Sequence, residues 1–259
     1  QYRMDKLAAE LDVAAPWSHP KAAEWDGMTL HDWLMAHTLN HDVINLLLSW
    51  TQPGFGSDTE RLSFLFTLWY IACSGNETHK GTFERNSNTA DGAQESRFVG
   101  GSQQVPLRMA HALGKRVALN AAVRMIEQKD GHVLVHSRRG VGRAKRVIVA
   151  CPPPLVREIT FKPAMPVQRR HLLARMPMGN LMKCDAVYEK PFWREAGLNG
   201  FGISDHGAAR AVFDNSPANG SVGVLLAFVG GTTWQTYGHQ PKAARRKAVL
   251  AGFAEMFGE

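Results

Sequence analysis

The stretch Arg175–Arg194 reads RMPMGNLMKCDAVYEKPFWR and decides how the second half of the chain folds. Its middle, Leu181–Tyr188, has the length and side-chain alternation of a β-strand. Lys183 and Asp185 lie on the same strand face among largely apolar neighbours. Because an unpaired ammonium is costly to bury, two interpretations stay open. Either Lys183 pairs with Asp185 or reaches water, or it is a functional lysine.

Length and composition are typical of a globular protein. The 259 residues can form one large or two smaller cores, and the hydrophobic share of 44% is ordinary. The longest apolar run is too short to span a bilayer and the N-terminus does not resemble a signal peptide, so we expect a cytoplasmic protein without a membrane span. Three cysteines without metal-ligand spacing fit a reducing compartment and predict no metal site.

The net charge of +7 raises the question of nucleic-acid binding. The basic residues form short runs that are not interleaved with stacking aromatic residues. We therefore expect a solvated basic surface and no nucleic-acid partner, with a basic binding module as an alternative. The runs lie at 138–139, 143–146, 169–170 and 245–247.

The pattern of apolar residues predicts helices in the first part of the chain. Thr29 and Asp32 resemble a capping box that opens a helix to about Thr38. Further helices are predicted at 42–50, ending before Pro53, and at 59–73, capped by Asp58.

Strand signals begin after residue 97. A helix at 103–113 precedes strands at 116–128 (broken near Asn120), 132–137 and 144–150, and Asp130-Gly131 predicts a hairpin between the first two. The run Arg146–Ala150 is continuously apolar and β-branched after its arginine, which is typical of a strand buried on both faces. Later elements are a helix at 167–174, strands at 181–188, 201–204, 209–213 and 222–228, and a helix at 241–257.

No motif supplies a self-contained catalytic site. The sequence lacks GxGxxG opening a strand-turn-helix unit, a P-loop, GxSxG and CxxC. Composition and spacing alone therefore indicate only a soluble pair of α/β domains.

Eight segments, in order along nearly the whole chain, resemble the flavin-containing monoamine oxidase family. They are APW at 15–17, EWDGMT at 24–29, LWY at 68–70, DGAQE at 91–95, RFVGGSQ at 97–103, RVALNAAV at 116–123, AKRVIVACPP at 144–153, and PMG through Lys183 with PFWR at 191–194.

The resemblance implies an α+β architecture. Residues 1–96 and 176–259 would form a substrate domain, with a mixed sheet and flanking helices. Residues 97–175 would form an inserted β-meander, part of an FAD-binding, Rossmann-like domain. The chain resembles the central part of such an enzyme, without the N-terminal GxGxxG and the C-terminal flavin-binding segment.

The same resemblance implies the activity and its partners. We expect FAD-dependent oxidation of an amine to an imine, with oxygen reduced to hydrogen peroxide. The implied cofactor is FAD and the implied partners are a small amine and oxygen, while a homodimer is left open. Two alternatives remain: an amino-acid or polyamine oxidase of the same superfamily, and a non-catalytic fragment that binds no FAD.

The resemblance also assigns site residues, by matching positions in this sequence to positions in the family. Lys183 matches the family lysine that holds a water against flavin N5, and is the catalytic candidate. Gln94 matches a glutamine that lines the substrate cavity, and Phe213 and Phe228 match apolar residues around the amine. The family's cavity tyrosine corresponds to Ala211, which implies a wider entrance.

Three further positions match the family's cofactor contacts. Val123, Ala150 and Cys151 fall where the family backbone meets the adenosine and the flavin edge. Because those contacts are mostly made by the main chain, the identity of the side chains at these positions says little about cofactor binding.

Overall fold

The computed structural model describes residues 1–258, and the chain divides into two compact units. The large unit comprises Gln1–Ser96 and Gly179–Glu259, and the insert unit comprises Arg97–Met178. The assignment of the first to a substrate domain and of the second to part of an FAD-binding domain stays a prediction.

The first segment of the large unit is helical. Its helices are α1 (Tyr2–Ala8), α2 (Ala22–Asp26), α3 (Leu30–His37), α4 (His41–Phe55), α5 (Phe64–Ala72) and α6 (Phe83–Ser87). The predicted capping box is confirmed: the Asp32 N–H donates to Thr29 Oγ1 at 3.1 Å, and the Thr29 N–H donates to Asp32 Oδ2 at 2.9 Å. The apolar faces of these helices enclose a core around Leu30, Phe64 and Leu68.

Two predicted helix boundaries in this segment are wrong. Helix α4 continues through Pro53 to Phe55, because a proline in the last turn removes only its own N–H bond, and it ends at Gly56 with φ of +61°. Asp58 does not cap a helix by its side chain. Helix α5 begins later, with Ser63 Oγ accepting from the Phe66 N–H at 3.2 Å.

The second segment of the large unit forms a sheet covered by helices. It contains β5 (Leu181–Tyr188), α10 (Phe192–Glu195), β6 (Gly202–Ile203), β7 (Ala211–Asp214), β8 (Gly223–Gly230), α11 (Gly231–Tyr237) and α12 (Lys242–Phe257). The strand order is β5-β8-β7-β6 and all three pairs are antiparallel. The predicted mixed sheet is therefore wrong for this unit. The connections between β6 and β7 and between β7 and β8 are too short for a parallel crossover, and β8 returns antiparallel beside β5.

The insert unit carries the mixed sheet instead. Its elements are α7 (Gln104–Leu113), β1 (Val123–Lys129), β2 (His132–Ser137), β3 (Gly140–Ala144), α8 (Pro153–Val156), β4 (Thr160–Lys162) and α9 (Val167–Ala174). Strands β3, β2 and β1 form an antiparallel meander, and β4 adds parallel to β1. The Asp130-Gly131 hairpin is confirmed, with Lys129 opposite His132.

In the insert unit the predicted break near Asn120 is confirmed, but the strand predicted before it and the strand predicted at 144–150 do not form. Strand β1 begins only at Val123, after Asn120 adopts a φ of +55°. The predicted strand at 144–150 is not formed: β3 ends at Ala144, and Ile148 is 92% exposed. A strand buried on both faces needs neighbours on both sides, and the described residues provide none for this run.

Candidate active site

One row of side chains crosses the sheet of the large unit. The register pairs Lys183 of β5 with Phe228 of β8, and Phe228 with Ala211 of β7. Cross-strand partners project from the same sheet face, so the lysine and the phenylalanine predicted from sequence are direct neighbours.

Aromatic rings extend this row into a continuous surface. The Lys183 Nζ lies 5.1 Å from the centroid of the Phe228 ring. The Phe228 and Phe213 rings meet edge to face at 5.6 Å, and the Phe213 and Phe201 rings are 5.3 Å apart. The arrangement brings together an ammonium group and three rings, and Phe201 is the member that sequence reasoning did not single out as a site residue. The sequence indication for Phe201 was its position at the start of a predicted strand. In the structure that strand lies beside β7, which carries Phe213.

Lys183 itself is exposed, contrary to the expectation of a buried charge. Strand β5 is at the edge of the sheet, and its Lys183 face is open in the described structure. Nor is Asp185 the partner of the lysine. The Asp185 Oδ1 accepts a hydrogen bond from Asn215 Nδ2 at 3.1 Å.

The opposite face of the same sheet is packed and rigid. Val212, Ala227 and Val229 are fully buried there against Phe253 of α12. Cys184, on the same side of β5, is partly buried, and this desolvation raises the pKa of its thiol. The Lys183 face is thus supported from behind by a close-packed core.

The C-terminal end of helix α4 lies against the start of β5 and the end of β8. The Asn180 N–H donates to the Gly56 carbonyl at 2.8 Å, and the Gly231 N–H donates to the Asn180 carbonyl at 3.0 Å. A Cβ on Gly179 would collide with the Phe55 carbonyl. Main-chain contact this close requires glycine and fixes where β5 begins.

A buried polar network reinforces this junction. The Asp58 carboxylate accepts from Gln52 Nε2 at 2.7 Å and from the Thr232 N–H at 3.0 Å. The Thr233 hydroxyl donates to Gln52 Oε1 at 3.0 Å. Gln52 and Asp58 are both buried, so these bonds satisfy groups that would otherwise be costly. We name Gln52, Asp58, Thr232 and Thr233 the strand-end network.

Ala211 and Gln94 lie differently from what the sequence suggested. Ala211 is only 2% exposed, so its small side chain is covered by its neighbours. A wider entrance at this position stays a prediction. Gln94 lies in the loop after α6, where its N–H donates to the Asn88 carbonyl at 3.2 Å and its side chain is exposed. Its role in the substrate cavity stays a prediction.

The three predicted cofactor contacts lie in the insert unit. Val123 opens β1 beside an irregularity in its pairing with β2, and Ala150 is the last residue of the unpaired run after β3. Cys151 lines an apolar cavity of about 390 Å³ with Val156 and Phe161.

Two features are absent from residues 1–258. No helix there combines the length and the apolar character needed to cross a bilayer. No group of three or more His, Cys, Asp or Glu side chains there is placed to hold a metal ion.

Comparison with known proteins decides the family. Residues 2–259 match the family described as flavin containing amine oxidoreductase. The chain belongs to this family. The AofH protein of Mycobacterium tuberculosis, named as a candidate flavin-containing monoamine oxidase, is 34% identical over 259 residues, which are 100% of this chain and 55% of that protein. Human amine oxidase [flavin-containing] B is 32% identical over 98% of this chain and 48% of its own length.

Solved structures of related oxidases have the same fold. Putrescine oxidase bound to putrescine superposes with a TM-score of 0.90 at 31% identity, over 99% of this chain and 56% of that one. Cyclohexylamine oxidase from Brevibacterium oxydans IH-35A gives 0.89 at 28% identity, with the same coverage. The chain therefore spans about half the length of the relatives it matches.

Proposed function

We propose that the protein oxidises a small amine to an imine with FAD as cofactor and oxygen as the final acceptor, yielding hydrogen peroxide. The observation that carries this proposal is the row of Lys183, Phe228 and Phe213 on one open sheet face. The relatives' names support the reaction class, since they are amine, putrescine and cyclohexylamine oxidases.

The residues present fit part of an FAD molecule. The Phe213 and Phe228 rings offer an apolar surface with the Lys183 ammonium as a hydrogen-bond donor beside it, and the backbone at Ala150 is not tied into a strand. We infer that Val123, Ala150 and Cys151 contact the cofactor through their main chains within a Rossmann-like domain. Residues 1–259 contain no GxGxxG turn for the pyrophosphate. When bound, FAD accepts a hydride from the amine carbon and passes two electrons to oxygen.

The chain's own residues would bind and orient the reactants. Phe213 and Phe228 would pack against the apolar body of the amine, and their faces also attract its positive charge. Gln94 would line the same cavity. Lys183 would hold a water molecule through its Nζ, where it can hydrate the imine or deliver a proton during oxygen reduction.

Amine oxidation is tested by hydrogen peroxide release. The chain is purified with FAD added, and peroxide is measured with benzylamine, cyclohexylamine, putrescine and an amino acid as substrates. Peroxide formation that depends on both FAD and a monoamine supports the proposal. Preference for putrescine or the amino acid would reassign the substrate class within the same reaction.

A non-catalytic fragment is a second candidate, because the chain spans about half of its relatives and Lys183 is exposed. Flavin absorbance of the purified protein separates the two. A colourless protein that releases no peroxide, while a longer form of the same protein is yellow and active, would assign the activity to the longer form alone.

A further inference from the structure

Charge is divided unequally between the two units. The insert unit contains 16 Lys and Arg against three Asp and Glu, a net charge of +13. The large unit contains the remaining 14 basic and 20 acidic residues, a net charge of −6. The modest total of +7 therefore conceals one strongly cationic unit. All 16 of its basic side chains are exposed.

Several of these cations share one face of the insert sheet. The register places Lys162 opposite Glu127, Glu127 opposite Leu134, and Leu134 opposite Arg143. Lys129, two residues after Glu127, projects from the same face and contacts its carboxylate at 2.7 Å. One carboxylate thus stands among three cations, which we name the cationic face: Lys129, Arg143 and Lys162.

The turn between β2 and β3 adds a second feature. It carries Arg138 and Arg139, and Arg139 Nη1 donates to the Leu119 carbonyl at 3.2 Å. Leu119 is 70% exposed and Val141 of β3 is 60% exposed. Aliphatic side chains therefore lie next to arginines at this end of the sheet. We name Arg138, Arg139, Leu119 and Val141 the hairpin tip.

We propose that the cationic face and the hairpin tip bind the surface of an anionic phospholipid bilayer. Exposed lysines and arginines are attracted to acidic headgroups, and neighbouring aliphatic side chains can enter the boundary between headgroups and acyl chains. Such binding is peripheral and needs no membrane-spanning helix. It is independent of the proposed amine oxidation.

Nucleic acid is the other polyanion that such a charge could attract, and the composition of the insert unit favours lipid. Its 82 residues contain two aromatic side chains, Phe98 and Phe161, and neither tryptophan nor tyrosine. Proteins that bind single strands use aromatic platforms for base stacking, which aliphatic residues such as Leu119 and Val141 do not replace.

The test is co-sedimentation of the 259-residue chain with vesicles of phosphatidylcholine, either alone or with about 30% phosphatidylglycerol. We expect binding to the acidic vesicles only, weakening steeply as salt rises. Each cation near such a surface contributes about fivefold to binding, so R138E/R143E should weaken it by at least about 25-fold. The matched control R246E/K247E makes the same charge change on exposed residues of α12 in the large unit and should leave binding within about twofold.

Two further double variants complete the test. L119S/V141S should weaken binding without changing its salt dependence, because it removes apolar contact only. If circular dichroism shows that R138E/R143E is unfolded, R138Q/R143Q replaces it. Equal binding to neutral vesicles, or an equal loss in the α12 control, would overturn the proposal. So would tighter binding to a DNA duplex than to acidic vesicles, which would assign the surface to nucleic acid.

Discussion

The Asp58 carboxylate accepts a hydrogen bond from the Thr232 N–H at 3.0 Å, joining residues 174 positions apart in the sequence. Through this bond the turn after α4 fixes the point where β8 ends and α11 begins. The same turn binds Asn180 at the start of β5, so one junction sets the register of Lys183 against Phe228.

Asp58→Ala should destabilise the large unit by about 2–3 kcal/mol, because it removes the close acceptor of the buried Gln52 amide and of the Thr232 N–H. Urea unfolding followed by tryptophan fluorescence measures this directly, since all seven tryptophans lie in the large unit. Asp12→Ala, at an exposed turn, should change stability by less than about 0.5 kcal/mol. Equal effects of the two variants would show that the strand-end network is not a stabilising feature.

Gly231→Ala should be more destabilising than Gly207→Ala. Both glycines have positive φ, +53° and +72°, which costs an alanine about 1 kcal/mol. A Cβ on Gly231 would also collide with the Asp58 carboxylate, whereas nothing lies within 4 Å of one on Gly207. We expect a further loss of about 1–3 kcal/mol at Gly231 in the same urea experiment. Similar losses of stability in the two variants would show that the strand-end network accommodates the added methyl group without cost.

Asp214 should make the large unit sensitive to acid. Burial acts to raise the pKa of its carboxyl, but hydrogen bonds from Ser216, Trp193 and Arg194 outweigh burial and hold the pKa below its ordinary value of 3.8. A lowered pKa in the folded state stabilises the protein above the unfolded pKa, and this contribution disappears as pH falls through the folded value. Wild type should therefore lose more stability between about pH 5 and pH 3 than Asp214→Asn. Glu189→Gln, at an exposed position, serves as control and should behave as wild type.

His206 should titrate above its ordinary pKa of 6.5. Its ring lies between two carboxylates, with Nδ1 2.7 Å from Asp205 and Nε2 2.9 Å from Glu255, and the Asp205 hydrogen bond is the main cause of the raised pKa. The contribution to stability is complete below the unfolded pKa and is lost as pH rises through the higher folded value. The chemical shifts of the ring should show the raised midpoint, and Asp205→Asn should lower it. An unchanged midpoint in that variant would contradict the assignment.

Lys183→Met should slow flavin reoxidation by oxygen at least about tenfold in the FAD-loaded enzyme, while amine binding is largely unchanged. The reason is that methionine keeps the length of the side chain but cannot hold a water or transfer a proton. Stopped-flow measurement of the oxidative half-reaction gives the rate. Lys190→Met removes an exposed lysine that pairs with Glu195 at 2.8 Å and should leave that rate unaltered. Unchanged oxygen kinetics in Lys183→Met would remove the lysine from the mechanism.

Local patterns predicted those elements that their own sequence defines. Strand β5 has the predicted bounds Leu181–Tyr188, because alternation and length alone define it. The Asp130-Gly131 hairpin also forms as predicted, since its turn chemistry is local. The run Arg146–Ala150 was predicted as a buried strand, yet burial depends on neighbouring strands that a local pattern cannot specify.

The candidate site was only partly predictable for the same reason. Lys183, Phe213 and Phe228 could be chosen by resemblance, but their contact depends on the register between β5 and β8. Asp58 resembled a helix cap because its local sequence fits one. Its actual partner, Thr232, lies in another segment, and no local signal indicates that pairing.

The edge position of β5 has a consequence for handling the protein. Within the described residues β5 is hydrogen-bonded to β8 alone, so its outer backbone groups could template pairing with another chain. Charged residues, lysine above all, discourage such edge-to-edge aggregation. Lys183 therefore also serves solubility, and its replacement by an apolar residue favours self-association independently of any effect on the reaction.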